Sequence, residues 1–322
     1  MNGVAVAVGG GSDTAPSGCL YLCPILIGSH PYSVGREVCD GDTDVTTHDE
    51  WTDTQTSHHV TVDGHDLEVA YYDSGAGDPV VFLHRIPTNS FLWRDVLSPI
   101  EAERRVIAPD MIGYGNPSMY DGFDRSLRAQ EGAIEELIDT LDLGTVTLVG
   151  HDLGGGVFLR YAAHNPGAVD KLVLSTSVTY DSWPIQTITD LGLPETAREA
   201  SVEELQGMLD GLMRDTLYGD DASEEFIDGM KAPLASEEGV TSLVRNASAT
   251  NTSHTTEVDP ADVTAETLLL WGAEDGFQPI RWAERLAEDI ADAELVGLDR
   301  ANHWVTEDRP DAYRDHLAGF LL

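Results

Sequence analysis

TVTLVGHDLGGG, residues 145–156, is the stretch of sequence that decides the fold. Its first half is a short apolar and β-branched run, which is typical of a buried strand, and its glycine-rich second half opens a helical pattern. Gly150 and Gly154 flank Asp152, so the turn between strand and helix tolerates little side-chain bulk and pushes Asp152 out beyond the strand end. The spacing predicts a nucleophile elbow with Asp152 as its reactive group. The alternative is an ordinary strand-to-helix turn in which Asp152 only caps the helix.

Strand and helix patterns alternate outward from this turn. Strands are predicted in 58–64, 66–75, 78–84, 104–110, 145–150, 171–177, 267–272 and 293–299, and helices near 127–141, 154–165, 280–290 and 310–321. Short apolar strands alternating with amphipathic helices predict an α/β fold, with a mostly parallel, doubly wound sheet covered by helices on both faces.

The chain divides into three parts by its patterning. Residues 51–180 and 260–322 carry the alternating pattern and are predicted to form the core. Residues 181–259 hold helical patterns without an obvious strand, which predicts a helical cap inserted into that core. Residues 1–50 are rich in Gly, Ser, Asp and Thr without a sustained apolar period, so we expect a disordered or non-native N-terminal extension.

The large excess of acidic residues argues against some classes of binding partner. The 322 residues include 18 Lys plus Arg and 57 Asp plus Glu, a net charge of −39. Such a surface repels nucleic acids and anionic membranes, so a small-molecule substrate is expected, and the oligomeric state stays open. The excess of acids favours a halophilic origin, because molar salt shortens the screening length to about 3 Å.

The three cysteines all lie near the start of the chain. Cys19, Cys23 and Cys39 give no support for a disulfide framework or a cysteine metal site. The apolar run 20–27 is too short to span a bilayer. We therefore expect a cytoplasmic enzyme, with a lipidated Cys19 as a weaker alternative.

Two further loops follow predicted strands and complete a catalytic set. LLLWGAEDGFQP places Asp275 just beyond one strand, and LDRANHWVTEDRP places His303 just beyond the last. Each would be an ordinary turn residue by itself. Because the carboxyl ends of parallel strands share one edge of the sheet, Asp152, Asp275 and His303 are predicted to converge as a triad.

With this set, residues 58–322 resemble the α/β-hydrolase superfamily, and the Asp in the elbow resembles its haloalkane dehalogenase and epoxide hydrolase branch. The stretches VVFLHRIPTNSFLWRDVLSPI and VIAPDMIGYGNPS are similar to two family loops, and LSTSVTYDSWP resembles the strand that leads into the cap. The resemblance implies that Asp152 forms a covalent alkyl ester, that His303 activates the hydrolytic water and that Asp275 orients His303. It further implies an oxyanion hole from the backbone N–H groups of Ile86 and Leu153, and no cofactor or metal.

The leaving-group donors of that branch are missing from this sequence. Haloalkane dehalogenases hold the halide with an Asn and a Trp where this chain has Ile86 and Leu153, neither of which offers a side-chain hydrogen bond. Arg85 replaces the usual Gly, and it is expected either to point away and pair with an acid or to anchor an anion.

An epoxide hydrolase is the alternative activity, and it needs cap tyrosines to protonate the opening ring. Tyr180 and Tyr218 are the candidates, while Trp183 at the cap entrance either lines the pocket or only packs. A third interpretation is a non-catalytic ligand receptor on a hydrolase scaffold, which the complete triad disfavours.

Overall fold

An eight-stranded sheet forms the centre of the protein in the computed structural model, which describes residues 46–115, 119, 122–219 and 223–322. Its strands are β1 (Thr56–Val62), β2 (His65–Gly75), β3 (Pro79–Leu83), β4 (Arg105–Pro109), β5 (Val146–His151), β6 (Val169–Ser175), β7 (Glu266–Gly272) and β8 (Ala293–Leu298). They lie in the order β1-β2-β4-β3-β5-β6-β7-β8. The pairs β1–β2 and β2–β4 are antiparallel and all the others are parallel. The predicted fold class, with its mostly parallel sheet, is confirmed.

The helices complete the layers on both faces of the sheet. In chain order they are α1 (His48–Thr54), α2 (Ser98–Glu101), α3 (Leu127–Thr140), α4 (Leu153–His164), α5 (Gln186–Leu191), α6 (Pro194–Glu199), α7 (Val202–Asp215), α8 (Glu224–Lys231), α9 (Glu237–Ser248), α10 (Ser253–Thr256), α11 (Arg281–Asp289), α12 (Val305–Asp308) and α13 (Pro310–Leu321). Short 3₁₀ turns occur at Ser90–Trp93, Ala232–Leu234 and Pro260–Asp262. No helix among the described residues is long and apolar enough to cross a membrane.

The central strands are mostly apolar because both of their faces are covered. Along β3, Val81 and Leu83 pack into one cluster of buried side chains, whereas Val80 and Phe82 pack into the other. The first cluster includes apolar residues of α3, α4 and α11, and the second includes residues of α1, α2 and α13. Alternating side chains along one strand thus belong to two cores, as a doubly wound sheet requires.

The described structure begins earlier than the core predicted from the sequence. Thr47 caps α1 in a reciprocal arrangement with Glu50, and Trp51 is buried. The Trp51 ring stacks on Tyr72 at 4.7 Å, and its Nε1–H donates to Ser90 Oγ. The sequence prediction assigned residues 46–50 to the N-terminal extension. In the structure, Thr47 caps α1 and residues 48–50 form its first turn. Residues 1–45, which include the three cysteines, lie outside the described residues.

The sheet topology sets the position of the functional site. After β3 the chain crosses to β4 on one side, and β5 then lies on the other side of β3. Open α/β sheets bind ligands at such a switch point, outside the carboxyl ends of the strands. Helices α5 to α10 all lie between β6 and β7 in sequence. We propose that they form the cap predicted for 181–259.

Candidate active site

The elbow after β5 places Asp152 at the start of α4, in a backbone conformation that residues other than glycine rarely adopt. Its φ is 50° and its ψ is −110°. The turn is tight because a Cβ on Gly154 would lie 2.2 Å from the Leu83 carbonyl oxygen, and one on Gly150 would lie 2.6 Å from Gly155. The glycines therefore let α4 start against the end of β3. This close approach brings the β3 loop next to the Asp152 carboxylate.

Two backbone amides lie against the Asp152 carboxylate. The Ile86 N–H donates to Asp152 Oδ1 at 3.4 Å, and the Leu153 N–H also hydrogen-bonds to the carboxylate. Burial raises the pKa of Asp152, whereas Arg85, His303 and these two amides oppose the rise. The carboxylate is almost fully buried. Donors that hold one of its oxygens at rest are placed to hold negative charge on that oxygen during a reaction.

His303 lies between the two carboxylates of the predicted triad. Its Nδ1 is 2.8 Å from Asp275 Oδ2, and its Nε2 is 3.6 Å from Asp152 Oδ2. Asp275 Oδ1 accepts the N–H groups of Phe277 and Gln278, so this carboxylate is fixed by the loop after β7. A carboxylate on Nδ1 favours the tautomer that leaves Nε2 free to accept a proton. The structure thus brings Asp152, Asp275 and His303 together, as the sequence predicted.

Arg85 lies in the site and does not point away from it. Only 3% of the residue is exposed, its Nε–H donates to the Ile86 carbonyl, and its guanidinium carbon lies 4.0 Å from the centroid of the Trp304 ring. No described carboxylate forms an ion pair with it, so the expectation that it pairs with an acid is wrong. Its Nη1 has no hydrogen-bond partner among the described residues. Burial lowers the pKa of Arg85 to about 10, against the attraction of Asp152 and Asp275, so the side chain is a cation at neutral pH.

A small cavity opens beside the Asp152 carboxylate. Its volume is about 10 Å³, on the order of the space for one water molecule. Sheet-edge loops and the helices between β6 and β7 contribute its lining residues, which are Arg85, Ile86, Asp152, Trp183, Ile185, Thr187, Ile188, Leu212, Phe277 and Gln278. A substrate larger than a few atoms therefore needs rearrangement of these lining residues in order to bind.

Comparisons with known proteins agree with this architecture. Residues 78–310 match the family model described as alpha/beta hydrolase fold. The chain belongs to the alpha/beta hydrolase fold family.

The relatives of this hydrolase differ in the reactions that their names give. It is 30% identical to a 2-hydroxy-6-oxononadienedioate/2-hydroxy-6-oxononatrienedioate hydrolase from Cupriavidus pinatubonensis, over 84% of this chain and 96% of the relative. It is 27% identical to haloalkane dehalogenase 2 from Mycobacterium tuberculosis, over 76% of this chain and 87% of the relative. Among solved structures, the epoxide hydrolase CorEH is similar with a TM-score of 0.70 and 24% identity, over 83% of this chain and 98% of that chain. The prediction of an α/β-fold hydrolase is confirmed, and its reaction is not decided by these relatives.

The structure does not bring the two candidate tyrosines into the hydrolase cavity. The Tyr180 hydroxyl donates to Asp289 Oδ2 at 2.6 Å, and Arg285 covers its ring. Tyr218 is 48% exposed and lines a different cavity, together with Asp308. Both assignments as pocket residues are therefore wrong, because one hydroxyl is held by α11 and the other residue faces solvent.

Trp183 is in the cavity, and its indole is buried. Its Nε1 has no hydrogen-bond partner among the described residues. The residue also lines a second small cavity, which Leu153 and Tyr114 share. The indole therefore lies between the elbow and the helices that cover it.

Gln278 and Tyr114 are buried polar residues close to the elbow that the sequence predictions do not include. Gln278 lines the cavity and follows Asp275 by three residues, so its position in the same loop was the available signal. Tyr114 lies in the loop after β4 and is 1% exposed, and its hydroxyl lacks a hydrogen-bond partner among the described residues. Burial is the main cause that raises the pKa of Tyr114, with the Asp152 charge adding to it. Nothing in the local pattern distinguishes Tyr114 from a packing aromatic.

Proposed function

We propose that this protein hydrolyses a small substrate by displacement at carbon, through a covalent ester on Asp152. The observation that carries the proposal is the position of the Asp152 carboxylate, between the Ile86 and Leu153 amides and 3.6 Å from His303 Nε2. In the first step a carboxylate oxygen bonds to the substrate carbon as the carbon–leaving-group bond breaks, and the leaving group departs as an anion.

The second step returns the carboxylate. His303 Nε2 takes a proton from water, and the hydroxide attacks the carboxyl carbon of the Asp152 ester. The tetrahedral oxyanion accepts the Ile86 and Leu153 N–H groups and then collapses to release the alcohol. The sum is substrate plus water giving alcohol, the leaving anion and one proton. Asp275 stabilises the imidazolium that forms on His303.

The chemistry of an Asp nucleophile favours displacement over acyl transfer. A carboxylate that attacks a carbonyl carbon gives an anhydride, whereas attack on an alkyl carbon gives an ester that His303 and water can hydrolyse. The similarity to the oxononadienedioate hydrolase therefore supports the fold more than the substrate. Haloalkane-like substrates fit the nucleophile better.

The leaving group is expected to be a good one. Ile86 and Leu153 offer no side-chain donor, and a hydrogen bond to a charged group contributes about 1.5–3 kcal/mol, or roughly 10- to 100-fold in rate. Chloroalkanes should therefore react more slowly than bromo- and iodoalkanes, which depend less on such donors.

Covalent trapping tests the nucleophile. The His303→Gln variant is incubated with bromoalkanes, iodoalkanes, haloacids and epoxides, and the intact protein is weighed. We expect a substrate-sized mass that maps to Asp152 and that is absent from the Asp152→Asn, His303→Gln double variant. An adduct that persists in the double variant, or one that maps elsewhere, would refute the assignment.

Isotope labelling tests the second step independently. A single turnover of the unmodified protein in ¹⁸O-water should place ¹⁸O in the Asp152 carboxylate, because water attacks the carboxyl carbon and not the substrate. Label that appears only in the alcohol would mean direct attack of water on the substrate.

An epoxide is the second candidate substrate, and Tyr114 is the observation that favours it. Tyr114 shares a small cavity with Leu153 and Trp183 beside the elbow, and its buried hydroxyl has no hydrogen-bond partner among the described residues. A phenol with a raised pKa stays protonated and donates a hydrogen bond to the alkoxide that forms as the ring opens. If so, Tyr114→Phe should slow adduct formation from an epoxide and leave that from an iodoalkane unchanged. Equal rates on the epoxide in the two proteins would remove this candidate.

A further inference from the structure

We propose that Arg85 and Trp183 form a binding site for a monovalent anion beside Asp152. The anion is either the departing halide or the carboxylate of a halo acid, and its role in turnover rests on the displacement reaction proposed above. The site would supply part of the stabilisation that side-chain donors at Ile86 and Leu153 would give, so bromide and iodide are still expected to leave more readily than chloride.

Arg85 carries the positive charge of this site. The guanidinium is held by its Nε–H bond to the Ile86 carbonyl and by the Trp304 ring, while Nη1 is left without a partner among the described residues. Trp304 is itself fixed, because its Nε1–H donates to Thr216 Oγ1 at the end of α7. A rigid, buried cation with an unused N–H is preorganised to bind an anion.

Trp183 supplies the second donor. It is 2% exposed, and its indole N–H has no partner among the described residues. A buried indole N–H normally finds an acceptor, so its missing partner indicates that a ligand supplies one. Trp183 and Arg85 line the same small cavity as Asp152, so an anion in that cavity lies beside the nucleophile.

Charge balance explains why a cation stands here. Before the reaction, the attraction of Asp152 and Asp275 partly offsets the burial of Arg85. When Asp152 becomes a neutral ester, one of those two negative charges moves to the leaving group. If the anion stays beside Arg85, the net charge of the buried site does not change during the displacement. The guanidinium then keeps two negative charges near it, which matters because an uncompensated cation is costly in a medium of low polarity.

A purely structural role for Arg85 makes a different prediction. If the guanidinium only balances the two carboxylates, the resting protein has no saturable affinity for small anions at this place. Anion binding by the full chain, without any turnover, therefore distinguishes the two roles.

Binding is measured by titrating chloride, bromide and acetate. Sulfate keeps the ionic strength constant, because it is a dianion and larger than the halides. The readouts are tryptophan fluorescence and the melting temperature, since Trp183 and Trp304 adjoin the site and an anion that binds only the folded protein raises its melting temperature. We expect saturable binding that weakens about 10- to 100-fold in both Arg85→Gln and Trp183→Phe. Arg85→Lys, which keeps the charge, should retain part of the affinity.

Arg281→Gln is the matched control. Arg281 also stacks on a tryptophan, Trp282, at 5.1 Å, but neither residue lines the Asp152 cavity. This variant should bind anions as the unchanged protein does. Absence of saturable binding in the unchanged protein, or equal affinity in Arg85→Gln and Arg281→Gln, would overturn the proposal.

Kinetics then distinguish the two sources of the anion. If Arg85 holds a substrate carboxylate, Arg85→Gln raises KM for 2-bromopropionate much more than it changes KM for 1-bromopropane. If it holds the departing halide, the variant lowers kcat for both. Adduct formation at Asp152 in His303→Gln without anion binding would refute this site but keep the proposed reaction. Anion binding without any adduct would refute the reaction but keep the site.

Discussion

Replacing Gly154 by alanine tests whether the close approach at the elbow builds the site. The new Cβ would lie 2.2 Å from the Leu83 carbonyl oxygen and 2.4 Å from that of His84, whereas real Cβ contacts are essentially never under 3.0 Å. The backbones must therefore separate by at least 3.0 − 2.2 = 0.8 Å. No flexible side chain can give way, because both contacts are carbonyl oxygens of the main chain.

The displacement acts directly on an amide that holds the Asp152 carboxylate in position. The chain runs from His84 through Arg85 to Ile86, whose N–H already lies 3.4 Å from Asp152 Oδ1. Overpacking of this kind costs about 1–3 kcal/mol of unfolding free energy, which equals or exceeds the roughly 1 kcal/mol that alanine gains over glycine inside a helix. A misplacement near 1 Å lowers the rate on the order of 100-fold.

Urea unfolding measures the first effect, and the rate of adduct formation in a His303→Gln background measures the second. Gly207→Ala is the control, since Gly207 is exposed in α7 and a Cβ there would meet nothing within 4 Å. It should leave the adduct rate unchanged and raise stability by about 0.5–1 kcal/mol. If Gly154→Ala is as stable and as fast as Gly207→Ala, the reasoning from the elbow contact is wrong.

Four further outcomes are expected. Because Arg85 opposes the burial that raises the pKa of Asp152, Arg85→Gln should raise that pKa further and move the acid limb of adduct formation to higher pH; an unmoved limb would contradict this. Removal of residues 1–45 should preserve cooperative unfolding. Trp51→Ala should lower the free energy of unfolding in urea by about 3–5 kcal/mol, because Trp51 is buried. A change below about 1 kcal/mol would show that α1 packs loosely. With a net charge of −39, the melting temperature should rise between about 0.1 M and molar KCl, as the screening length falls from ~10 to ~3 Å, and a flat response would count against a halophilic origin.

The sequence by itself determined the fold class and predicted that Asp152, Asp275 and His303 lie close together, which the structure shows. Strands buried on both faces must be largely apolar, so β3, β5, β6 and β7 were visible as short, mostly apolar runs between turn residues. The spacing of Gly150, Asp152 and Gly154 marked the elbow, and the parallel order implied that loops after separate strands meet at one edge. Even α1 had a local signal, the capping sequence from Thr47 to Glu50, which was overlooked.

Only the tertiary structure decided which side chains complete the site. Whether Arg85 turns toward Trp304 or toward an acid depends on α7 and the last loop, which lie more than 100 residues away in sequence. Asp289 of α11 accepts a hydrogen bond from the Tyr180 hydroxyl, and folding places Tyr114 in a small cavity with Leu153 and Trp183. A periodic pattern of apolar residues indicates which face of a helix or strand is buried, because that periodicity lies within the element itself. The partner of one polar atom is set by the packing of distant segments, and the local sequence does not record it.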